Sequence, residues 1–367
     1  MADKAVKSKK TKRFILFRIL FRVILLIAAA ALILSYSALY INPAKYVIPL
    51  FFGLYFIPLL LLNIILLIIA LIFRSKSYII TLLVIVPSLL FAERFYKIRT
   101  SKVAEGRNAL SILSYNVASF NHFPDIPRDS TISKITQQIN TINADIVCLQ
   151  EINVVKAFDL DSFKFNYKYK AYHLRSGKTT KSGIAILSKY EIVNVGEMVF
   201  NESTNRSMYA DIKIGKDTLR FFNNHLESYS ISFKALLQRL RTKDTTSELA
   251  RDEIYRVHQK IGSTVKRRTH QVDSLSKLIA ESEYTTFICG DQNETPMSYA
   301  YTTFAKNHND TFIEAGRGFG ATFSLFYPLI RIDYIFSPQR FKVLSHKTLK
   351  VPWSDHYPIL ATIEISP

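Results

Sequence analysis

Six short polar sequences close or interrupt apolar, strand-like runs, and together they hold the residue types that phosphate chemistry needs. They are Ser114-Tyr115-Asn116, Leu149-Gln150-Glu151, Asn223-Asn224-His225-Leu226, Gly290-Asp291-Gln292-Asn293, Arg331-Ile332-Asp333-Tyr334 and Ser354-Asp355-His356. A divalent cation such as Mg2+ or Mn2+ prefers hard oxygen ligands and keeps several waters, so one or two carboxylates plus a substrate phosphate suffice to hold it. Glu151 is the first candidate ligand, Asp355 the second, and Asn116 can add an amide oxygen. Hydrolysis also needs a water aimed at phosphorus. Asp291 can orient one, with Asn293 holding the water or the phosphate. Charge that develops on phosphoryl oxygens calls for fixed positive charge. Asp333 beside His356 would orient that imidazole and favour its charged form, and His225 is a second phosphate donor or the acid for the leaving group.

Each residue alone has a plainer role. Glu151 can cap a strand, Asn116 can brace a turn, and Asp291-Gln292-Asn293 can form an Asx turn. Asp333 is harder to dismiss, because a carboxylate inside the strand pattern Ile332-Asp333-Tyr334-Ile335 is costly without a partner. The six sequences in one order argue for one site.

Strands must position them. Side chains alternate along a strand, so a polar residue at its end can enter a cleft while the run behind it stays in the core. Runs of this kind are expected at Ala109–Tyr115, Asp145–Gln150, Gly183–Leu187, Glu191–Phe200, Met208–Ile214, Thr218–Asn223, Thr285–Cys289, Ile332–Phe336 and Ile359–Ile365, with a helix over Ile132–Asn143. Many strands with few helices between them predict an α/β fold of two mixed sheets packed face to face, helices outside. Ile231–Glu283 differs: it is polar, rich in Lys, Arg, Gln and Ser, and helical in pattern. Arg267 and Arg268 within it are candidate substrate-phosphate contacts, or simply part of a solvated helix face. The two cysteines, Cys148 and Cys289, lie inside apolar runs and read as small core residues, not a disulfide or zinc framework.

The formal net charge is +19, but it is unevenly spread. Residues 1–100 hold 14 Lys and Arg against Asp3 and Glu93. Most of the excess therefore flanks apolar segments, where positive charge commonly sets orientation. The chain divides into a basic tail (1–13), a membrane segment (14–96), a polar linker (97–108) and a catalytic domain (109–367). Within the membrane segment, Val23–Ile41, Tyr46–Phe73 and Tyr78–Ala92 are three expected spans, the last short and containing Pro87. Three crossings with the basic tail inside place residues 101–367 outside the cytoplasm, whereas two crossings leave them in it. A cleaved signal peptide does not fit an apolar stretch this long followed by more spans.

The residues resemble the endonuclease/exonuclease/phosphatase superfamily, the DNase-I-like fold, over about Ala109 to Ile365. The resemblance rests on Asp145-Ile146-Val147-Cys148-Leu149-Gln150-Glu151, Gly290-Asp291-Gln292-Asn293, Arg331-Ile332-Asp333-Tyr334-Ile335-Phe336 and Ser354-Asp355-His356. It implies a two-sheet α/β sandwich with the site at one end, metal held by Glu151 with Asn116 and Asp355 close by, nucleophile activation by Asp291 with Asn293, and a phosphate-binding pair, Asp333 and His356. His225 matches the family's other catalytic histidine. Gln292 departs from the usual Gly-Asp-Phe-Asn, and the carboxylate that often supports that histidine is not evident. The superfamily includes nucleases, sphingomyelinases and inositol phosphate phosphatases, so the fold does not choose the substrate. The first expectation is a membrane-anchored, metal-dependent phosphodiesterase acting on nucleic acid. A phosphoesterase acting on phospholipid or inositol phosphate is the alternative, and an inactive membrane-bound binding module is third. The lipid bilayer is an expected partner through the N-terminal helices; no protein partner is expected.

Overall fold

A computed structural model describes residues 2–98, 108–122, 125–155, 163–200, 203–229 and 247–365 of the 367-residue chain. It separates into two compact units, Met1–Glu93 with Met297–Tyr299, and Arg94–Pro296 with Ala300–Pro367.

In the first unit, α1 (Ala2–Ser37) is followed by α2 (Ile48–Leu54), α3 (Phe56–Ile72) and α4 (Tyr78–Ile85), and α4 runs into a 3-10 segment, Val86–Arg94. Asn63 is fully buried and donates from Nδ2 to the Ala28 carbonyl, 3.0 Å away, tying α3 to α1. Outward-facing Ile27, Leu61, Ile68 and Leu83 are each more than half exposed. Three uninterrupted spans are not what the structure holds. Among the described residues, Arg13–Ser37 is the one helix long and apolar enough to cross a membrane, or one of two if the bent pair α2 and α3 counts as a single span. That pair bends by 71°, because Pro58 lacks an N–H and its ring clashes with the carbonyl four residues back, at Leu54. Pro87 interrupts the third segment in the same way, and the chain tightens to 3-10 geometry.

The second unit is a sandwich of two six-stranded sheets. Its strands are β1 (Tyr96–Lys97), β2 (Ala109–Asn116), β3 (Ile146–Val155), β4 (Tyr169–Ser176), β5 (Thr180–Ser188), β6 (Glu191–Val199), β7 (Arg206–Ile214), β8 (Asp217–His225), β9 (Thr285–Asp291), β10 (His308–Asp310), β11 (Gly318–Phe319), β12 (Asp333–Pro338), β13 (Lys342–Thr348) and β14 (Ile359–Glu364). One sheet has the order β13-β14-β2-β3-β5-β4 and the other β10-β12-β9-β8-β7-β6, with β1 and β11 forming a separate pair. Helices α5 (Arg128–Ile142), α6 (Ser247–Ala280), α7 (Tyr299–Ala305) and α8 (Thr311–Ala315) complete the unit. The linker expected at 97–108 lies mostly outside the described residues.

The inner faces explain why the site forms at one end. Leu110 and Ile112 lead to Ser114 and Asn116 on β2, and Leu219 and Phe221 lead to Asn223 and His225 on β8. Phe287 and Cys289 lead to Asp291 on β9, while Ile335 precedes no further apolar residue toward Asp333 on β12. The apolar members of these rows form one buried cluster between the sheets, and burial of each Leu, Ile or Phe there is worth about 1.5–3 kcal/mol. At the polar ends the sheets are bolted together. Asn223 donates to the Leu149 and Ala185 carbonyls at 3.0 and 2.8 Å, and accepts from Gln150 Nε2 at 2.7 Å. A second cluster on the opposite face of the first sheet packs Leu113, Val147, Leu149 and Leu187 against Ile132, Ile135 and Ile139 of α5.

Candidate active site

Glu151 reaches the site through an irregularity. Strict alternation from Gln150, which points between the sheets, would send Glu151 to the other face. The β3–β5 register shifts between Leu149 and Ile152, and Glu151 adopts φ 55°. A bulge of this kind re-aims a side chain. On β9, Gly290 has φ +122°, and a Cβ there would stand 2.0 Å from the Asn224 carbonyl oxygen. Only glycine lets β8 and β9 come this close just before Asp291. Beyond it Asn293 has φ 51° and donates its backbone N–H to Asp291 Oδ1 at 2.8 Å.

The other oxygen of Asp291 is the hub. Oδ2 accepts from Asn116 Nδ2 at 3.0 Å and stands 3.8 Å from both His225 Nε2 and His356 Nε2. His225 Nε2 is also 3.4 Å from Glu151 Oε1, and His356 Nδ1 is 2.9 Å from Asp333 Oδ2. Burial and the neighbouring Asp333 push the Asp291 carboxyl up to about 6, although both histidines pull the other way. Burial alone would lower the His356 imidazole, but Asp333 and Asp291 together hold it well above its ordinary value. His356 is therefore a cation at neutral pH. The Phe323 ring stands edge-on to it, 5.2 Å between centroids.

Two clusters have geometry suited to a cation: Glu151, His225 and Asp291, and Asp291, Asp333 and His356, each with ligand atoms within 4.8 Å of one another. Asp355 is in neither; its strand-end neighbour Ser354 instead donates to the Asn116 carbonyl at 2.7 Å. The Asn116 amide is turned with its NH2 toward Glu151 Oε1 (3.1 Å) and Asp291, while its Oδ1 accepts from Ala118 N at 3.0 Å. As placed, Asn116 braces two carboxylates with donors. Its oxygen is committed to the backbone.

Arg268 is not a surface contact for substrate, because it is 1% exposed. Its Nε donates to the Glu227 carbonyl at 2.6 Å, and its Nη1 donates to the Asn293 carbonyl at 2.6 Å and to Glu294 Oε1 at 2.5 Å. It clamps the loop after His225 to the loop after Asp291. Asn293 Nδ2 adds to the clamp by donating to the Leu226 carbonyl at 2.9 Å. Arg267 is partly exposed, and its guanidinium lies on the Glu227 carboxylate, with Nε 3.0 Å from Oε1. The helical pattern contained the signal for Arg268. Ile261, Val265, Arg268, Val272 and Leu275 fall at alternating spacings of four and three on α6 and are all buried, so this arginine occupies the core-facing stripe.

The sequence profile of the Endonuclease/Exonuclease/phosphatase family matches residues 113–356, which hold every residue of this constellation. The chain belongs to that family. A second profile, a domain of unknown function (DUF8431), matches residues 17–95. Among solved structures, an endonuclease/exonuclease/phosphatase from Beutenbergia cavernae superposes with TM-score 0.52 at 14% identity, covering 71% of this chain and 72% of that one. A functionally unknown conserved protein from Enterococcus faecalis has TM-score 0.50 at 20% identity, with 69% and 99% covered. TDP2 from D. rerio, solved with a single-strand DNA product, has TM-score 0.49 at 17% identity, with 71% and 100% covered. No curated protein matches in sequence. The family's members are phosphoester hydrolases of the DNase-I-like fold, in accord with the two-sheet sandwich.

Proposed function

We propose that this chain is a membrane-anchored phosphodiesterase of nuclease type, dependent on Mg2+ or Mn2+. The observation that carries the reading is the convergence of three groups on Asp291 Oδ2: the Asn116 amide, His225, and the Asp333-held His356. The residues fit a hard divalent ion. Glu151 and Asp291 supply carboxylate oxygens beside His225, and His225 Nε2 and Asp333 Oδ1 are buried with no hydrogen-bond partner among the described residues. Glu151 would hold the ion with Asp291 or Asp355 nearby, and when bound it would neutralise charge on the phosphate.

The protein's own groups account for the rest. Asp291, ionised and braced by Asn293 N–H, accepts a proton from the attacking water as its oxygen bonds to phosphorus. The P–O bond on the far side breaks, and the leaving oxygen takes a proton. His356 is charged and fixed by Asp333, and it donates from Nε2 to a phosphoryl oxygen. The 3.8 Å separation of that nitrogen from Asp291 Oδ2 is too long for a direct hydrogen bond, and a phosphoryl oxygen to one side of the pair can accept its N–H. His225 is the second donor, to the phosphate or the leaving group.

The anchor reading rests on the apolar α1 and the exposed apolar side chains of the first unit, since soluble surfaces rarely expose such continuous patches. The test is hydrolysis by the full chain in detergent with Mg2+ or Mn2+, against plasmid DNA, single-stranded DNA, RNA, sphingomyelin, inositol phosphates and a generic phosphodiester. Nucleic-acid cleavage abolished by EDTA and by Asp291→Ala is the expected result. Cleavage confined to lipid or inositol phosphate would overturn the nuclease assignment, and no turnover at all would sink the enzymatic one.

A further inference from the structure

The ribbon of β1 and β11 belongs to neither sheet, and β1 precedes the residues that the family profile matches. It is an addition to the sandwich, and hydrolysis does not account for it. Tyr96 pairs with Phe319 and Lys97 with Gly318, and the two aromatic rings meet edge-on with centroids 4.9 Å apart. The Phe319 ring in turn stands 6.3 Å from that of Tyr327, in the loop that carries Leu325 and Leu329. Apolar side chains gathered in this way ordinarily bury themselves. Here they face outward: Ile98 is 87% exposed, Leu325 60%, and Tyr96, Phe319 and Leu329 each more than 40%. Monomeric soluble proteins seldom expose such a contiguous patch unless something covers it.

The patch cannot fold inward. Thr322 and Phe323 both donate their backbone N–H to the Ile330 carbonyl, at 3.0 and 3.2 Å, which closes the base of the loop. Ser324 N donates to the Asp355 carbonyl at 2.8 Å, Tyr357 N donates to the Thr322 carbonyl at 2.7 Å, and Phe323 bridges to His356. Turning Leu325 or Leu329 toward the core would break the backbone that seats His356.

Chain continuity says what covers it. The last apolar segment of the first unit, Val86–Arg94, holds Leu89 and Leu90 exposed. The next residue is Phe95, whose carbonyl accepts from Gly320 N at 3.1 Å. Neighbouring Cα atoms are about 3.8 Å apart and paired strands about 5 Å, so β11 stands no more than about 10 Å from the end of that segment. Aromatic rings are enriched where a membrane segment meets water, and long cationic side chains there lay their stems on apolar surface and their heads among phosphates. Arg317 and Lys350 are exposed beside the patch, with Lys350 Nζ 4.1 Å from the centre of the Tyr327 ring.

We propose that the β1–β11 ribbon and the Leu325–Leu329 tip dock into the headgroup layer of the bilayer, so that the catalytic unit meets the membrane surface by its His356 side. The partner is a lipid surface, with anionic headgroups favoured by Arg317 and Lys350. This rests on the membrane-anchored reading and adds to it a second contact that does not span. A second copy of the chain would have to reach the same face where lipid headgroups already stand.

The test is electron paramagnetic resonance of the full chain in nanodiscs of phosphatidylcholine and phosphatidylglycerol, with a nitroxide on one introduced cysteine at a time. The variants are Phe319→Cys and Leu325→Cys, with Leu20→Cys on α1 and Lys216→Cys in the β7–β8 turn as references. Cys148 and Cys289 are buried and stay unlabelled. All four replaced side chains are exposed, so no variant opens the core. Power saturation compares collisions with oxygen, which concentrates in lipid, and with a water-soluble nickel chelate. Labels at 319 and 325 should be dominated by oxygen, like the label at 20, and the label at 216 by nickel. A nickel-dominated label at 319 or 325 overturns the proposal. Protection from both reagents at these positions overturns it too, and assigns the face to a second copy of the chain. A nickel-dominated label at 20 sinks the anchored reading, and this inference with it. Hydrolysis is not read, so an inactive chain sinks the phosphodiesterase reading without touching this one.

Discussion

At the scale of single residues, Asp291 and His356 both hold their protons more tightly than free groups, for different reasons: burial raises Asp291, whereas neighbouring carboxylates outweigh burial at His356. Asp291 ionises near 6 when folded but near 4 when unfolded. Its contribution to stability is therefore complete below about pH 4 and lost as pH rises through 6, on the order of 3 kcal/mol. In EDTA, thermal midpoints of the wild type should fall relative to Asp291→Asn between pH 4 and 6; parallel curves would contradict the assignment. Asp333→Asn should cut hydrolysis about a hundredfold or more. With its principal partner neutral, His356 keeps the burial penalty and titrates at lower pH, which imidazole NMR reads directly. The polar endings themselves were legible in the sequence, because carboxylates and histidines at the ends of apolar runs have few other uses in such numbers. The orientation of Glu151 was not: alternation assigns it to the wrong face, and only the bulge between Leu149 and Ile152 corrects it. Nor could the sequence show that the Asn116 amide presents its donors, since that depends on Ala118 N claiming the oxygen.

At the scale of elements, α6 does more than cover a sheet. Arg268→Met leaves Glu294 buried without its cation and frees two carbonyls, and should destabilise the protein by about 3–5 kcal/mol. Adding Glu294→Gln should restore part of the loss, measured by denaturant unfolding of both variants. Full additivity of the two substitutions would contradict the clamp. The sequence pattern located α5, α6 and the central strands, where apolar periodicity is unbroken. It missed β4 and β13. β4 carries His173 and Arg175 where a core strand would carry aliphatic residues, and β13 places Ser345 and His346 in its buried positions. The apolar period fails on β4 where His173 and Arg175 replace aliphatic side chains on the inner face.

At the scale of the whole molecule, the anchored reading proposed above turns on how many times the first unit crosses. A single crossing by α1 would put the catalytic unit on the side opposite the basic tail. Lys216→Cys, in the β7–β8 turn, should then react with a membrane-impermeant maleimide in intact cells, with little background because Cys148 and Cys289 are buried. Labelling only after lysis would reverse the assignment. Hydropathy gives three apolar stretches, whereas one helix, or two with the bent pair, is long and apolar enough to cross among the described residues, because hydropathy does not register where Pro58 and Pro87 break a helix. A last consequence concerns assembly. Glu151 and Asn116 come from one sheet, Asp291 and His225 from the other, and His356 stands just before β14. No partial chain and no parted sandwich holds the full set. The constellation is therefore a product of closure: it is complete only when β14 pairs with β2 and the two sheets stand face to face.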